Sequence, residues 1–214
     1  MKKILILSLS VLSTLLFSAC TDQANQPESQ AENIIGKHTI RFTEPPKRIP
    51  APHSVDAPLL GNGFTGVALS GTPESQVFYV ARNDFWRLKS ALDESFPLVL
   101  GKIELDIPQL KDASYLVEQQ LYDAVSTARF TKGDISVSYK AFVPATEDML
   151  IVDLNMEGNG AVEGSAGISF LGKEEQIDKP PLERIFPDVR EHEMKPNGIE
   201  YLSRAFVDLS LIHI

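Results

Sequence analysis

Apolar side chains fall on every second residue in two stretches of this chain, and that period sets what it can fold into. Ile103, Leu105 and Ile107 alternate with Lys102, Glu104 and Asp106, and Ile135, Val137, Tyr139, Ala141 and Val143 share one face of a second stretch. Successive side chains of an extended strand point to opposite sides, so this spacing predicts half-buried antiparallel strands. Further strands are expected at residues 76–81, 115–121, 124–131, 149–156, 162–170 and 199–207, which are rich in Val, Ile, Phe and Tyr and separated by turn residues. Lys132, Gly133 and Asp134 form a short hairpin-type link. No long amphipathic pattern lies between the strands, which disfavours a parallel βαβ sheet and predicts an all-β fold, a large antiparallel β-sandwich. Two proline-rich stretches, residues 41–57 and 173–196, break the rhythm and read as long surface loops, either binding or covering something or simply solvated.

The amino terminus predicts export. Lys2 and Lys3 precede an apolar run through Phe17 that is too short for a membrane span with its own stop-transfer flank, and small residues Ser18 and Ala19 lead into Cys20, the only cysteine. The pattern resembles a lipobox, with residues 1–19 removed as a lipoprotein signal peptide and Cys20 carrying the acyl chains. Residues 20–35, largely Thr, Asp, Gln, Asn, Pro, Glu and Ser after the cysteine, bury little and are expected to be a disordered tether. The folded domain is expected at residues 36–207. Residues 208–214 end without a turn or polar tail, and Leu209 to Ile214 resemble translated library adapter, so a frame interrupted ahead of a further domain is expected. The formal charge of −9 becomes −11 once two lysines leave with the signal, which argues against nucleic acid and against anionic membrane surfaces, leaving the lipid anchor as the membrane contact.

Chemical motifs are few. Gly61, Asn62, Gly63 and Gly66 fall within a G-x-G-x-x-G string, with Asp84 downstream, but a nucleotide fingerprint needs a strand before it and a helix N-terminus after it. Gly71 and Pro73 interrupt too soon, so these residues are expected to build a tight turn into a strand. An EF-hand-like start at Asp153 lacks its final acid, which falls on Gly164, and His38, His53 and His192 have no partners at metal-ligand spacing. No metal, no cofactor and no catalytic residue is assigned, although carboxylates such as Asp84, Asp93, Glu94, Glu174 and Glu175 are plentiful. The more informative cluster is Arg82, Asn83, Asp84, Phe85 and Trp86. An aromatic ring stacks on the C–H face of a sugar while Asn, Asp and Arg bond its hydroxyls, so Asn83, Asp84 and Trp86 are the candidate carbohydrate contacts, set against a core tryptophan beside a turn.

Residues 58–71, then Pro73-Glu74, then Asn83-Asp84-Phe85-Trp86, resemble the opening of the glycoside hydrolase family 95 N-terminal domain, of the family 65 and 95 type. Residues 115–121, the strand over 124–131, and Tyr139 to Pro144 followed by Met149 to Asp153 are similar to it in the same order. The second half of the N-E-D-x-x-W pattern is shortened, and arginines usual in the Tyr115 and Tyr139 strands are missing. The resemblance implies a β super-sandwich of an α-L-fucosidase-like enzyme, bracing a C-terminal (α/α)6 catalytic domain absent from this chain and lending Asn83, Asp84 and Trp86 to the pocket rim. The chain alone is then expected to be inactive. The alternative is a non-catalytic carbohydrate-binding or cell-surface structural module.

Overall fold

The computed structural model describes residues 30–50, 55–87, 96–171, 188–196, 198 and 200–206. The signal sequence, Cys20, most of the tether, His53, the carboxylates Asp93, Glu94, Glu174 and Glu175, and the tail from residue 207 lie outside the described residues. Where the tether was expected to end, the chain forms a short helix, α1 (Gln30–Ile35), with no buried residue and with Glu32 accepting a hydrogen bond from the Tyr122 hydroxyl at 3.5 Å.

Twelve strands follow among the described residues: β1 (Thr39–Phe42), β2 (Leu59–Gly61), β3 (Thr65–Thr72), β4 (Ser75–Arg87), β5 (Phe96–Asp106), β6 (Ser114–Gln120), β7 (Val125–Lys132), β8 (Ile135–Phe142), β9 (Ile151–Glu157), β10 (Ser165–Ser169), β11 (Asp188–Met194) and β12 (Glu200–Phe206). They form two five-stranded antiparallel sheets, ordered β1-β6-β7-β8-β9 and β10-β5-β4-β3-β2, and a separate β11-β12 hairpin. The fold is an antiparallel β-sandwich.

Both sheets feed one core. Val117, Ala128, Phe130, Val137, Tyr139 and Ala141 from the first sheet meet Leu60, Val67, Leu69 and Phe78 from the second, with Ile107 and Leu110 of the β5–β6 connection beneath them. The alternation read from residues 135–143 is the inner face of β8. Gly133, at φ 61°, turns β7 into β8, with Lys132 opposite Ile135. A row of rings crosses the core: Tyr115 to Phe130 at 5.4 Å, Phe130 to Tyr139 at 6.1 Å, and Tyr139 to Phe78 at 5.6 Å between centroids. Tyr139 donates its buried hydroxyl to the Gln76 Oε1 across the sheets at 3.2 Å. Burial pushes that phenol far above its ordinary range and raises the half-buried Tyr115 to about 12, because the charged form is poorly solvated there.

Ser126 is fully buried on β7 and its Oγ has no hydrogen-bond partner among the described residues. A buried hydroxyl left unpaired is unfavourable by about 1–3 kcal/mol. Ser126→Ala is therefore expected to raise the urea midpoint by an amount equivalent to about 1 kcal/mol with an unchanged m-value. A lowered midpoint would mean that the hydroxyl is satisfied in solution.

The outer face of the second sheet is also covered. Ala57, Ala68 and Tyr79 form a second small core with Ile49, Val77, Val99 and Leu171. The described part of the first proline-rich stretch thus covers a neighbour, since it delivers Ile49 to this cluster. Within the other expected loop, residues 188–194 are strand β11 rather than irregular chain. Glu200 of the hairpin reaches the edge strand β10, accepting from the Ile168 amide at 3.1 Å while its other oxygen meets His192 Nε2 at 2.6 Å. Capping an edge amide in this way closes a position at which another chain would pair.

Candidate functional site

Strand β4 does not end where its pairing with β5 becomes irregular. Ala81 faces Val99 and Trp86 faces Pro97, so β4 advances five residues while β5 advances two, and the stretch carrying Arg82 to Phe85 bows away from the ladder. Arg82 still pairs with Thr65 of β3, which sets this bow beside the β2–β3 turn.

That turn is organised by Asn62. Its Oδ1 accepts from the amides of Phe64 at 3.0 Å and Thr65 at 2.8 Å, an Asx arrangement that bends the chain locally. Its Nδ2 donates to the carbonyls of Pro144 and Glu147, each at 3.2 Å, tying the turn to the β8–β9 connection. Gly63 adopts φ +89°, a left-handed conformation that suits glycine. Gly61 permits close approach, since a Cβ there would lie 2.8 Å from the Thr65 carbonyl oxygen. Gly66 departs from the expected turn role: it lies in β3, paired with Gly61 and Ala81, and a Cβ would meet nothing within 4 Å.

Around this turn the side chains converge. Arg82 grips Asp84 through Nε at 3.0 Å and Nη2 at 3.2 Å, reaches Asp148 through Nη1 at 3.4 Å, and lies 4.2 Å from the centroid of the Phe64 ring. Residues two apart on a strand share a face, which is why Arg82 and Asp84 meet. Asp148 also accepts from the Thr65 hydroxyl at 3.2 Å. Asn83 donates Nδ2 to the Gly63 carbonyl at 2.7 Å, and its own carbonyl accepts from the Trp86 indole N–H at 2.6 Å.

The three candidate contacts therefore differ in what they offer. The Asn83 amide is engaged by the turn and the Asp84 carboxylate by Arg82. Trp86 keeps 43% of its surface exposed while its only polar atom is satisfied internally. The result is an aromatic surface held by its N–H, the form in which a tryptophan presents a platform to a ligand. Arg82 belonged to the cluster read from sequence, whereas Asp148, Thr65 and Phe64 were not candidates there; Asp148 in particular is 86 residues from Asn62. Among the described residues, no group of three or more His, Cys, Asp or Glu is placed to hold a metal, and no helix is long and apolar enough to cross a membrane.

Arg82 holds the Asp84 carboxyl below its ordinary range through their hydrogen bonds and its positive charge, against a weaker opposing effect of burial. Removing that cation in Arg82→Ala is expected to raise the Asp84 titration, followed by carbon-detected NMR, back toward the ordinary carboxylate range. An unchanged titration would exclude the ion pair as the cause.

No protein-family model matches the chain, and no curated protein matches it.

Proposed function

We propose that this chain is the N-terminal carbohydrate-facing β-sandwich of an exported, lipid-anchored glycoside hydrolase of the α-L-fucosidase-like type, bracing a separate catalytic domain and lending Trp86 to the rim of the sugar pocket. The observation that carries the sugar-binding part is the exposed, internally hydrogen-bonded Trp86 on the bow of β4. The same surface serves a non-catalytic carbohydrate-binding module. A glycosidase acid must hold its proton near neutral pH, whereas Arg82 keeps Asp84 ionised. In both readings the residues around Trp86 bind sugar and do not cleave it. Localisation at the cell envelope rests on the lipobox-like segment ending at Cys20.

Trp86 is the only tryptophan in the sequence, so its emission reports on this site alone. Titration of the full chain with fucosylated oligosaccharides and with a panel of plant and host glycans is expected to quench or blue-shift that emission. Calorimetry on Trp86→Ala should then show affinity reduced by about ten-fold or more, the ~1.4 kcal/mol or greater loss expected of an aromatic anchor, with Trp86→Phe retaining part of it. If no glycan at millimolar concentration moves the emission, the sugar-binding reading fails. Extending the reading frame beyond Ile214 separates the two versions: several hundred residues of helical repeats support the hydrolase, and a stop codon supports the module.

A further inference from the structure

We propose that Asn159 is a site of spontaneous covalent modification, where the folded protein deamidates to aspartate and isoaspartate, and that the fold protects Asn62 from the same reaction. The tripeptide Gly-Asn-Gly occurs twice, at residues 61–63 and 158–160. A glycine after asparagine has no Cβ to shield its nitrogen or restrict its dihedrals, so that nitrogen can reach the asparagine side chain. Because the local sequence is the same at both places, any difference in reactivity comes from the structure around them. The inference does not depend on the carbohydrate reading.

The chemistry needs only water. The Gly160 nitrogen, after losing its proton to hydroxide, attacks Cγ of Asn159 and closes a five-membered ring. The Cγ–Nδ2 bond then breaks, and Nδ2 leaves as ammonia with a proton from water, which returns the hydroxide. A second water opens the succinimide. Opening at Cγ gives aspartate; opening at the main-chain carbonyl gives isoaspartate, in which the backbone runs through Cβ and Cγ and is one carbon longer.

The two asparagines differ in what they must release to react. Asn159 is exposed in the link from β9 to β10, and its side chain forms no hydrogen bond among the described residues. The Gly160 N–H gives up one bond, to the Gly158 carbonyl at 3.1 Å. A Cβ on Gly160 would meet nothing within 4 Å, so no described neighbour crowds that side of the attacking nitrogen. Asn62 must instead turn its amide out of four bonds: Oδ1 accepts from Phe64 and Thr65, and Nδ2 donates to Pro144 and Glu147. Holding Cγ away from the attack geometry slows a reaction of this kind by roughly 10²-fold.

The β9–β10 link has little slack for a longer backbone. A Cβ on Gly158 would stand 3.2 Å from the Val162 side chain and 3.4 Å from that of Ile135, and one on Gly164 would stand 3.1 Å from Ile107. Val162 itself packs on the core. Isoaspartate therefore strains a link fixed at both ends, and either product adds a negative charge two residues from Glu157.

The test incubates the folded full chain at mildly alkaline pH and follows each peptide by mass for the change from amide to carboxylate. Isoaspartate is read separately, by methyl transfer from S-adenosylmethionine with an isoaspartyl methyltransferase. Asn159 should convert at a rate that rises with hydroxide, and Asn62 at least about ten-fold more slowly. In urea the two rates should converge, because the four bonds of Asn62 are gone. Asn159→Gln, which would have to close a larger ring, should abolish conversion of that peptide. Equal rates at the two asparagines in the folded chain overturn the inference, as does a folded chain in which Asn159 stays intact while both convert in urea.

Discussion

Asn62→Ala is expected to lower stability by about 2–4 kcal/mol, the range for breaking a buried or half-buried hydrogen-bond network, and to depress Tm by roughly 6–12 °C for a domain of this size. One side chain satisfies two amides of its own turn and two carbonyls of the β8–β9 connection, and its loss leaves all four to find water. The effect should reach Trp86. Asn83 is fastened to the Gly63 carbonyl within that turn, and Trp86 is fastened to Asn83, so the indole should become more mobile and its emission anisotropy should fall. Asn62→Asp separates the two halves of the network. It keeps an acceptor for Phe64 and Thr65 but sets a carboxylate against two carbonyl oxygens and near Asp148, so it should be no more stable than the alanine variant. A loss under 1 kcal/mol in both variants would show that the loops are held elsewhere.

Phe130→Ala is the second large effect, expected at about 3–5 kcal/mol by urea denaturation. Phe130 is almost fully buried on β7 and stands between Tyr115 and Tyr139 in the row of rings. Its removal opens a cavity that β-sheets on both sides, each fixed by its ladder, cannot collapse to fill. It also removes a wall against Tyr139, whose hydroxyl meets Gln76 on the opposite sheet. Phe130→Leu should recover more than half of the loss, because it refills most of the volume without a polar atom. If leucine does no better than alanine, ring geometry rather than volume governs the site.

The two substitutions act at opposite ends of one logic. The core holds the sheets face to face, and the Asn62 network then uses that fixed geometry to bring three loops to one edge. Trp86 depends on both, which makes the sugar binding proposed for that edge sensitive to distant core changes even where no contact is altered.

By itself the sequence determined the class and much of the strand set. Strand β8, the end of β5 and the Gly133 turn are written in a period of two and one glycine, signals that are local and need no partner to be read. Trp86 with Asn83 was legible as a cluster for the same reason. Strands β1 and β2 were not, and β3 was legible only as the strand that the glycine turn leads into, without bounds. Strand β3 is central and has buried residues on both faces, which leaves a run of small and apolar residues without alternation, whereas β1 and β2 are too short to show a period. Tertiary structure alone decided that Asn62 and Asp148 meet, that Arg82 reaches Asp148, and that Arg129, Lys140 and Asp153 share one open face. Those pairings depend on strand order and register, which arise from the packing of both sheets at once, and no local window of residues carries that information.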